Sequence, residues 1–215
     1  MAMTRAYRNS LIGIAAYLLA VSLFVTGVWW VGFGAALDQL NRRATSDLAL
    51  ASDSLAAELK RFRELAVLTA DRPEVTAALQ DADMVAALRP VLQEIADKTG
   101  ALDIRLVGLD GAQLAGVQAG TANSHAGEPY FERAMDGALG AAHLMPSQAG
   151  PRRFVFAAPV FSAAGPVMGA LLVSAGVEAV EGAWRGARPA LFFTDTDGMI
   201  FVSNRSELVM RSRKA

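Results

Sequence analysis

The stretch RFVFAAPVFSAAGPVMGALLVSAGV, residues 153–177, decides the fold. It contains two runs rich in β-branched, aromatic and small apolar residues, Arg153–Phe161 and Val167–Val177. Ser162–Pro166, with its Gly-Pro pair, separates them. Apolar runs of that length, bounded by turn residues, read as adjacent strands.

Working toward the C-terminus, Glu178–Gly186 reads as a short helix. A hairpin follows: Ala190–Thr194, an Asp-Gly turn at Asp195–Gly198, then Met199–Ser203. Asp-Gly tolerates the positive φ that tight hairpin turns require. Working toward the N-terminus, Gln148–Pro151 is a turn and Ala142–Ser147 a weak strand. Pro129–Leu139 reads as a helix with Pro in its first turn. Gln118–Gly127 is a loop rich in Gly, Ala, Asn, Ser and Thr. Leu102–Gly108 and Gln113–Val117 are strands about a second Asp-Gly turn, Leu109–Ala112. The expected fold is therefore α+β, with a five-stranded antiparallel sheet. One sheet face should rest on helices. The other should lie under the Gln118–Leu139 loop and helix, which makes a ligand pocket.

The part before Ala101 is helical. Apolar residues recur at Leu37, Leu40, Ala44, Leu48, Ala51, Leu55, Leu59, Phe62 and Ala66, three or four apart. No Pro or Gly interrupts Ala35–Ala70, so a helix of about 50 Å is predicted. It either folds back on its own domain or forms a dimer seam. Asp71 with Glu74 resembles a capping box ahead of a helix that ends near Gln80. A further helix spans about Met84–Thr99, interrupted at Pro90 and stopped by Gly100.

Hydrophobic residues make up 53% of the 215-residue chain and charged ones 19%. The mean hydropathy of +0.31 is high for a soluble domain and directs attention to a membrane segment. No charged residue occurs from Leu11 to Phe33. That run of about 23 residues is long enough for the roughly 30 Å hydrocarbon core. Trp29 and Trp30 suit the headgroup level at its far end. Arg5 and Arg8 precede the run and place the N-terminus in the cytoplasm. The rest is then expected outside, anchored in a bacterial inner membrane. A cleaved signal peptide is the competing reading, although its apolar core would be shorter.

The net charge of −1 offers no basic field for nucleic acid. The absence of cysteine excludes disulfides and thiolate chemistry. No phosphate loop, Gly-x-Ser-x-Gly elbow or His-Glu-x-x-His occurs. No catalytic residue, metal site or cofactor is expected. Asp195 and Asp197 flank a turn and read as structural. His143 has no acidic or histidine partner at metal-ligand spacing.

The order of elements, with particular residues, resembles the extracytoplasmic Cache (PDC, PAS-like) sensor region of sensor histidine kinases of the C4-dicarboxylate transport type. The matching stretches are Thr99-Gly100-Ala101, Leu109-Asp110-Gly111 and Pro129-Tyr130-Phe131 with Ala134 and Gly137. Ala157-Ala158-Pro159-Val160, Gly169–Val173 and then Glu178, Glu181 and Trp184 complete the set. Thr194–Gly198 with Ser203-Asn204-Arg205 resembles the start of a second Cache module. The resemblance implies a cytoplasmic tail at 1–10, a transmembrane helix at 11–33 and a helical stalk at 34–100. It also implies a sensor domain at 101–188 and an incomplete second module at 189–215.

It further implies a small-molecule ligand, a homodimer through the stalk, and a response regulator reached only through a kinase core. That core is absent from these residues, so no enzymatic activity is expected here and the chain resembles a truncated receptor. Three places depart from the family. The Ser-Asn common after the second strand is replaced near Val117 and Gln118. The arginine expected before Pro-Tyr-Phe is Glu128, and the lysine expected ahead of Glu178 is Ser174. Losing two cations and gaining an anion opposes a dicarboxylate, which leaves an organic acid or an amine as ligand. The candidate ligand residues are Glu128, Tyr130, His125, Ser174 and Arg153. Arg152, beside Arg153, is a rim cation or an edge-strand gatekeeper. Two alternatives stand beside the kinase reading. One is the same sensor on a chemotaxis receptor or cyclic-dinucleotide enzyme, and the other a membrane-anchored structural module without a ligand.

Overall fold

The computed structural model describes residues 2–118, 124–145, 151–184 and 189–212. The chain divides into two compact units, Met1–Leu50 and Ala51–Ala215. A single helix, α1, runs from Ala2 to Ala70. Among the described side chains of the first unit, Phe24 is 73% and Trp30 75% exposed. A helix that is apolar all round and has no protein partner fits a lipid surface rather than water. Among the described residues, this one helix is long and apolar enough to cross a membrane.

In the second unit the part of α1 from Ala51 packs on its own domain. Phe62, Ala66, Thr69 and Ala70 are buried. The fold-back reading therefore holds for this part of the helix. Leu37, Leu40 and Leu48, in the first unit, are exposed. Helix α2, Pro73–Gln80, starts without the expected capping box: Arg72 is the N-cap residue and no side chain caps it. Pro73 instead stands at the first position, where its missing N–H costs nothing. Helix α3, Ala82–Thr99, is capped by the Asp81 side chain, which accepts from the Asp83 N–H. It is not interrupted at Pro90. Pro90 and Ala86 are both solvent-exposed. Water can therefore satisfy the carbonyl that Pro90 leaves without a donor. Gly100 ends the helix in the left-handed region at φ 73°.

Five antiparallel strands follow: β1 Asp103–Gly108, β2 Gln113–Gly116, β3 Gly140–Leu144, β4 Arg153–Phe161 and β5 Val167–Gly176. Their order across the sheet is β2-β1-β5-β4-β3. The strands joined by Ser162–Pro166 are neighbours at the centre. The weak strand lies two residues earlier than its apolar pattern suggests; Ser147, the turn at 148–150 and residues 185–188 lie outside the described residues.

Alternation gives the sheet two apolar faces. Ile104, Leu106, Phe156, Ala158, Leu171 and Val173 pack on α1, α2 and α3. Val107, Val155, Ala157, Ala170 and Leu172 pack on the other side with Tyr130, Phe131 and Ala134 of α4, Pro129–Met135. Both faces are covered, as expected. Helix α5, Val177–Trp184, leads to a hairpin of β6, Phe192–Thr194, and β7, Ile200–Ser203. Val177, Trp184, Phe201 and Val202 form a third cluster with Ala51.

Gly140 fixes α4 on the sheet. A Cβ there would stand 1.9 Å from the Tyr130 carbonyl oxygen, a backbone atom that no rotamer change moves. Gly140→Ala is expected to cost about 3 kcal/mol, at the upper end of typical overpacking penalties. Chemical denaturation would measure it. A loss under about 0.5 kcal/mol would mean that α4 is free to shift.

Candidate functional site

The candidate site lies on the α4 side of the sheet. Period-two alternation puts Asp103 and Arg105 of β1 on the same face as Val107. The strand register sets Asp103 opposite Ser174, and Ser174 opposite Val155 on the other flank. Arg153 is two residues from Val155 and shares its face. An acid, two guanidiniums and a hydroxyl thus occupy one end of an otherwise apolar sheet face. Ser174 is buried.

Asp103 is the acid of the cluster, with 2% of its side chain exposed. Arg105 Nε donates to its Oδ2, and the Gln118 N–H donates to its Oδ1 at 3.3 Å. Burial makes such a carboxylate costly unless it is paired, and both oxygens are satisfied here. Gln118 is the last described residue before the covering loop; residues 119–123 lie outside the described ones.

From above, His125 and Tyr130 close over the strands. His125 Nδ1 and the Tyr130 hydroxyl are hydrogen-bonded at 2.8 Å. The other ring nitrogen, Nε2, is buried with no hydrogen-bond partner. Their titrations register the charges below. Burial lowers the His125 pKa, and the Arg105 and Arg153 cations lower it further. Burial, then the Glu128 carboxylate, pushes Tyr130 up to about 12. Arg153 is also lowered, by burial first and then by Arg105. The two guanidiniums thus stand near each other, with one carboxylate between them in sign.

The five sequence-derived candidates therefore separate. His125, Tyr130, Ser174 and Arg153 come together. Glu128 does not join them on the floor: it is exposed at the N-cap of α4, with extended backbone and no cap hydrogen bond. There it is a solvated carboxylate favoured by the helix dipole, and it acts on the site only through its field on Tyr130. Arg152 is neither rim cation nor gatekeeper. It pairs with Glu181 at 2.8 Å and faces away from the cluster. Asp103 and Arg105 escaped the sequence reading. Their one signal was two charged residues at alternate positions of a strand, a pattern that ordinarily marks a solvent face.

The low His125 pKa has a consequence with a definite sign. Below the unfolded pKa of about 6.5, the unfolded chain binds a proton that the folded chain resists. Stability linked to His125 is therefore complete above that pH. It falls as pH drops through the window just below 6.5, where the folded imidazole stays neutral. The melting temperature of the wild type should drop more between pH 7.5 and 5 than that of His125→Gln. Parallel pH profiles for the two proteins would rule this out.

The fold is the α+β fold of Cache-type sensor domains. The sensor domain of the Vibrio cholerae histidine kinase DctB superimposes with a TM-score of 0.74 at 21% identity, over 81% of this chain and 70% of that one. The ligand-binding domain of the Pseudomonas fluorescens chemoreceptor CtaA, in complex with L-serine, gives 0.61 at 16% identity, over 82% and 78%. That of the Campylobacter jejuni chemoreceptor Tlp3, in complex with 4-methylisoleucine, gives 0.60 at 15%, over 75% and 68%. The sequence matches no family model, and no curated protein matches it significantly.

Proposed function

We propose that this chain is the sensory region of a single-pass membrane receptor, and that it binds a small carboxylate-bearing molecule between the sheet and the His125–Tyr130 cover. The observation that carries this reading is the pair of guanidiniums, Arg105 and Arg153, on a covered apolar face. Guanidinium is the side chain best matched to a carboxylate. Asp103 stands beside them with both oxygens already engaged, and its charge would favour a ligand ammonium nearby. A dicarboxylate would find the two cations but also the acid. The solved chemoreceptor domains of the same fold hold amino acids, which supports an amino acid over a dicarboxylate.

In this reading α1 anchors the domain by its apolar N-terminal part, with the domain outside the cytoplasm. Ligand binding shifts the helices packed under the sheet, and the change passes along α1 to a cytoplasmic output, a kinase core or another transducer. In this reading the described cluster, with its guanidiniums and one satisfied carboxylate, holds a charged ligand rather than transferring protons.

The test is isothermal titration of the full chain in lipid nanodiscs with L-amino acids, succinate, malate and monoamines. Saturable binding of amino acids stronger than of amines supports the reading. Succinate or malate binding best would return the ligand to the dicarboxylate class. No binding by any carboxylate would sink the proposal and favour a structural module.

A further inference from the structure

A second cavity, of about 230 Å³, opens on the opposite face of the sheet. Its walls are Leu55 and Leu59 of α1, Phe154 of β4, and Phe193 and Phe201 of the β6–β7 hairpin. At one end stands Asp195, whose side chain is 6% exposed. Its Oδ1 accepts from the Asp197 N–H at 3.0 Å and the Met199 N–H at 2.8 Å. Its Oδ2 is differently placed. Among the described residues the His143 imidazole approaches it, with Nε2 at 3.8 Å, beyond hydrogen-bond reach.

A nearly buried carboxylate therefore lines a chamber walled mainly by phenyl rings and leucines, with His143 and Thr194 beside it. Such a carboxylate is costly without a cation. Aromatic rings carry negative faces that attract organic cations, and the attraction grows when the cation is desolvated. The cavity is too apolar to hold a hydrated metal ion, and no cluster of three metal-ligating side chains occurs among the described residues. A carboxylate ligand would be repelled by Asp195. What remains is a small cation with an apolar skin.

We propose that this cavity binds a small organic ammonium, quaternary or alkylated, with Asp195 Oδ2 facing the charge and Phe154, Phe193 and Phe201 packed around the alkyl groups. The site is separate from the Arg105–Arg153 cluster and opposite to it in sign. It also lies where α1, the sheet and the C-terminal hairpin meet, so its occupant would tie the three together.

The test uses the full chain in nanodiscs at one fixed pH. Choline is titrated against 3,3-dimethylbutan-1-ol, its neutral isostere. Choline should bind at least tenfold more tightly. Asp195→Asn retains the Oδ1 acceptor that holds the turn, and it should weaken choline at least tenfold with little change in melting temperature. Leu59→Trp, which fills the chamber, should abolish binding. Arg153→Met should leave it intact. Equal affinity for the two probes, choline binding unaffected by Asp195→Asn, or no choline binding by the wild type would each overturn the proposal. Loss of choline binding in Arg153→Met alone would place the ligand in the other site and overturn it as well.

Discussion

Arg152→Ala is expected to lower the unfolding free energy by about 3–5 kcal/mol, the usual cost of breaking a buried pair from one side. The pair is bidentate: Arg152 Nη1 and Nη2 meet Glu181 Oε1 and Oε2 at 2.8 and 3.0 Å. Both side chains are close to buried, at 12% and 13% exposure, so solvent screens them little. Each also holds the C-terminal hairpin. Arg152 Nη1 donates to the Phe201 carbonyl, and Glu181 Oε1 accepts from the Ser203 N–H at 2.9 Å. The one guanidinium thus holds the Glu181 carboxylate on α5 and the Phe201 carbonyl on β7. Removing it leaves the Glu181 carboxylate in apolar surroundings beside Trp184 and Val180 and frees the Phe201 carbonyl.

Urea denaturation would measure the loss. The double variant Arg152→Met with Glu181→Leu should recover part of it, since no unpaired charge then remains, although the Ser203 N–H still lacks its acceptor. If Arg152→Ala costs under about 1 kcal/mol, the hairpin is held by the Phe201 and Val202 packing alone.

Arg153→Met should weaken the tightest-binding carboxylate of the ligand panel by about thirtyfold or more. That factor corresponds to about 2 kcal/mol, the lower range for truncating one partner of a desolvated charge pair. Methionine keeps much of the stem volume and removes the charge. Asp103 already has its own partner in Arg105, so the acid does not depend on Arg153 for compensation. The loss should appear in affinity, and the melting temperature of the ligand-free variant, measured alongside, separates it from any loss of stability. Unchanged affinity would move the carboxylate away from β4. Arg105 is less suitable for this test, because its removal strands the Asp103 carboxylate and confounds binding with stability.

Much of this domain was legible in local patterns. The apolar runs Arg153–Phe161 and Val167–Val177, bounded by turn residues, marked the two central strands, and the three-and-four spacing after Leu37 marked α1. Local rules erred where solvent exposure mattered. Pro90 looked like a break, yet it sits on a wet helix face where a lost hydrogen bond is cheaply replaced by water. The Asp71–Glu74 pair looked like a capping box, but the cap position fell on Arg72, one residue later.

The candidate site was legible in part. The sequence pointed to His125 and Tyr130, which the structure hydrogen-bonds to each other, because a loop histidine and a helix-start tyrosine stand out in a small-residue segment. Asp103 and Arg105 were not, since charged residues alternating in a strand look the same whether that face meets water or a covering helix. Glu128 seemed to replace a ligand arginine, but it lies at the helix start and faces solvent.

The sequence by itself determined the elements, the five-stranded α+β plan and the apolar run that suits a bilayer, because each follows from the periodicity of neighbouring residues. Only the tertiary structure decided which charges meet. The Arg152–Glu181 pair spans 29 positions, and His143 and Asp195 approach from β3 and the β6–β7 turn. The Asp103, Arg105, Ser174 and Arg153 grouping depends on the register of three strands. Register and sheet order are set by non-local packing, and local periodicity carries no information about them.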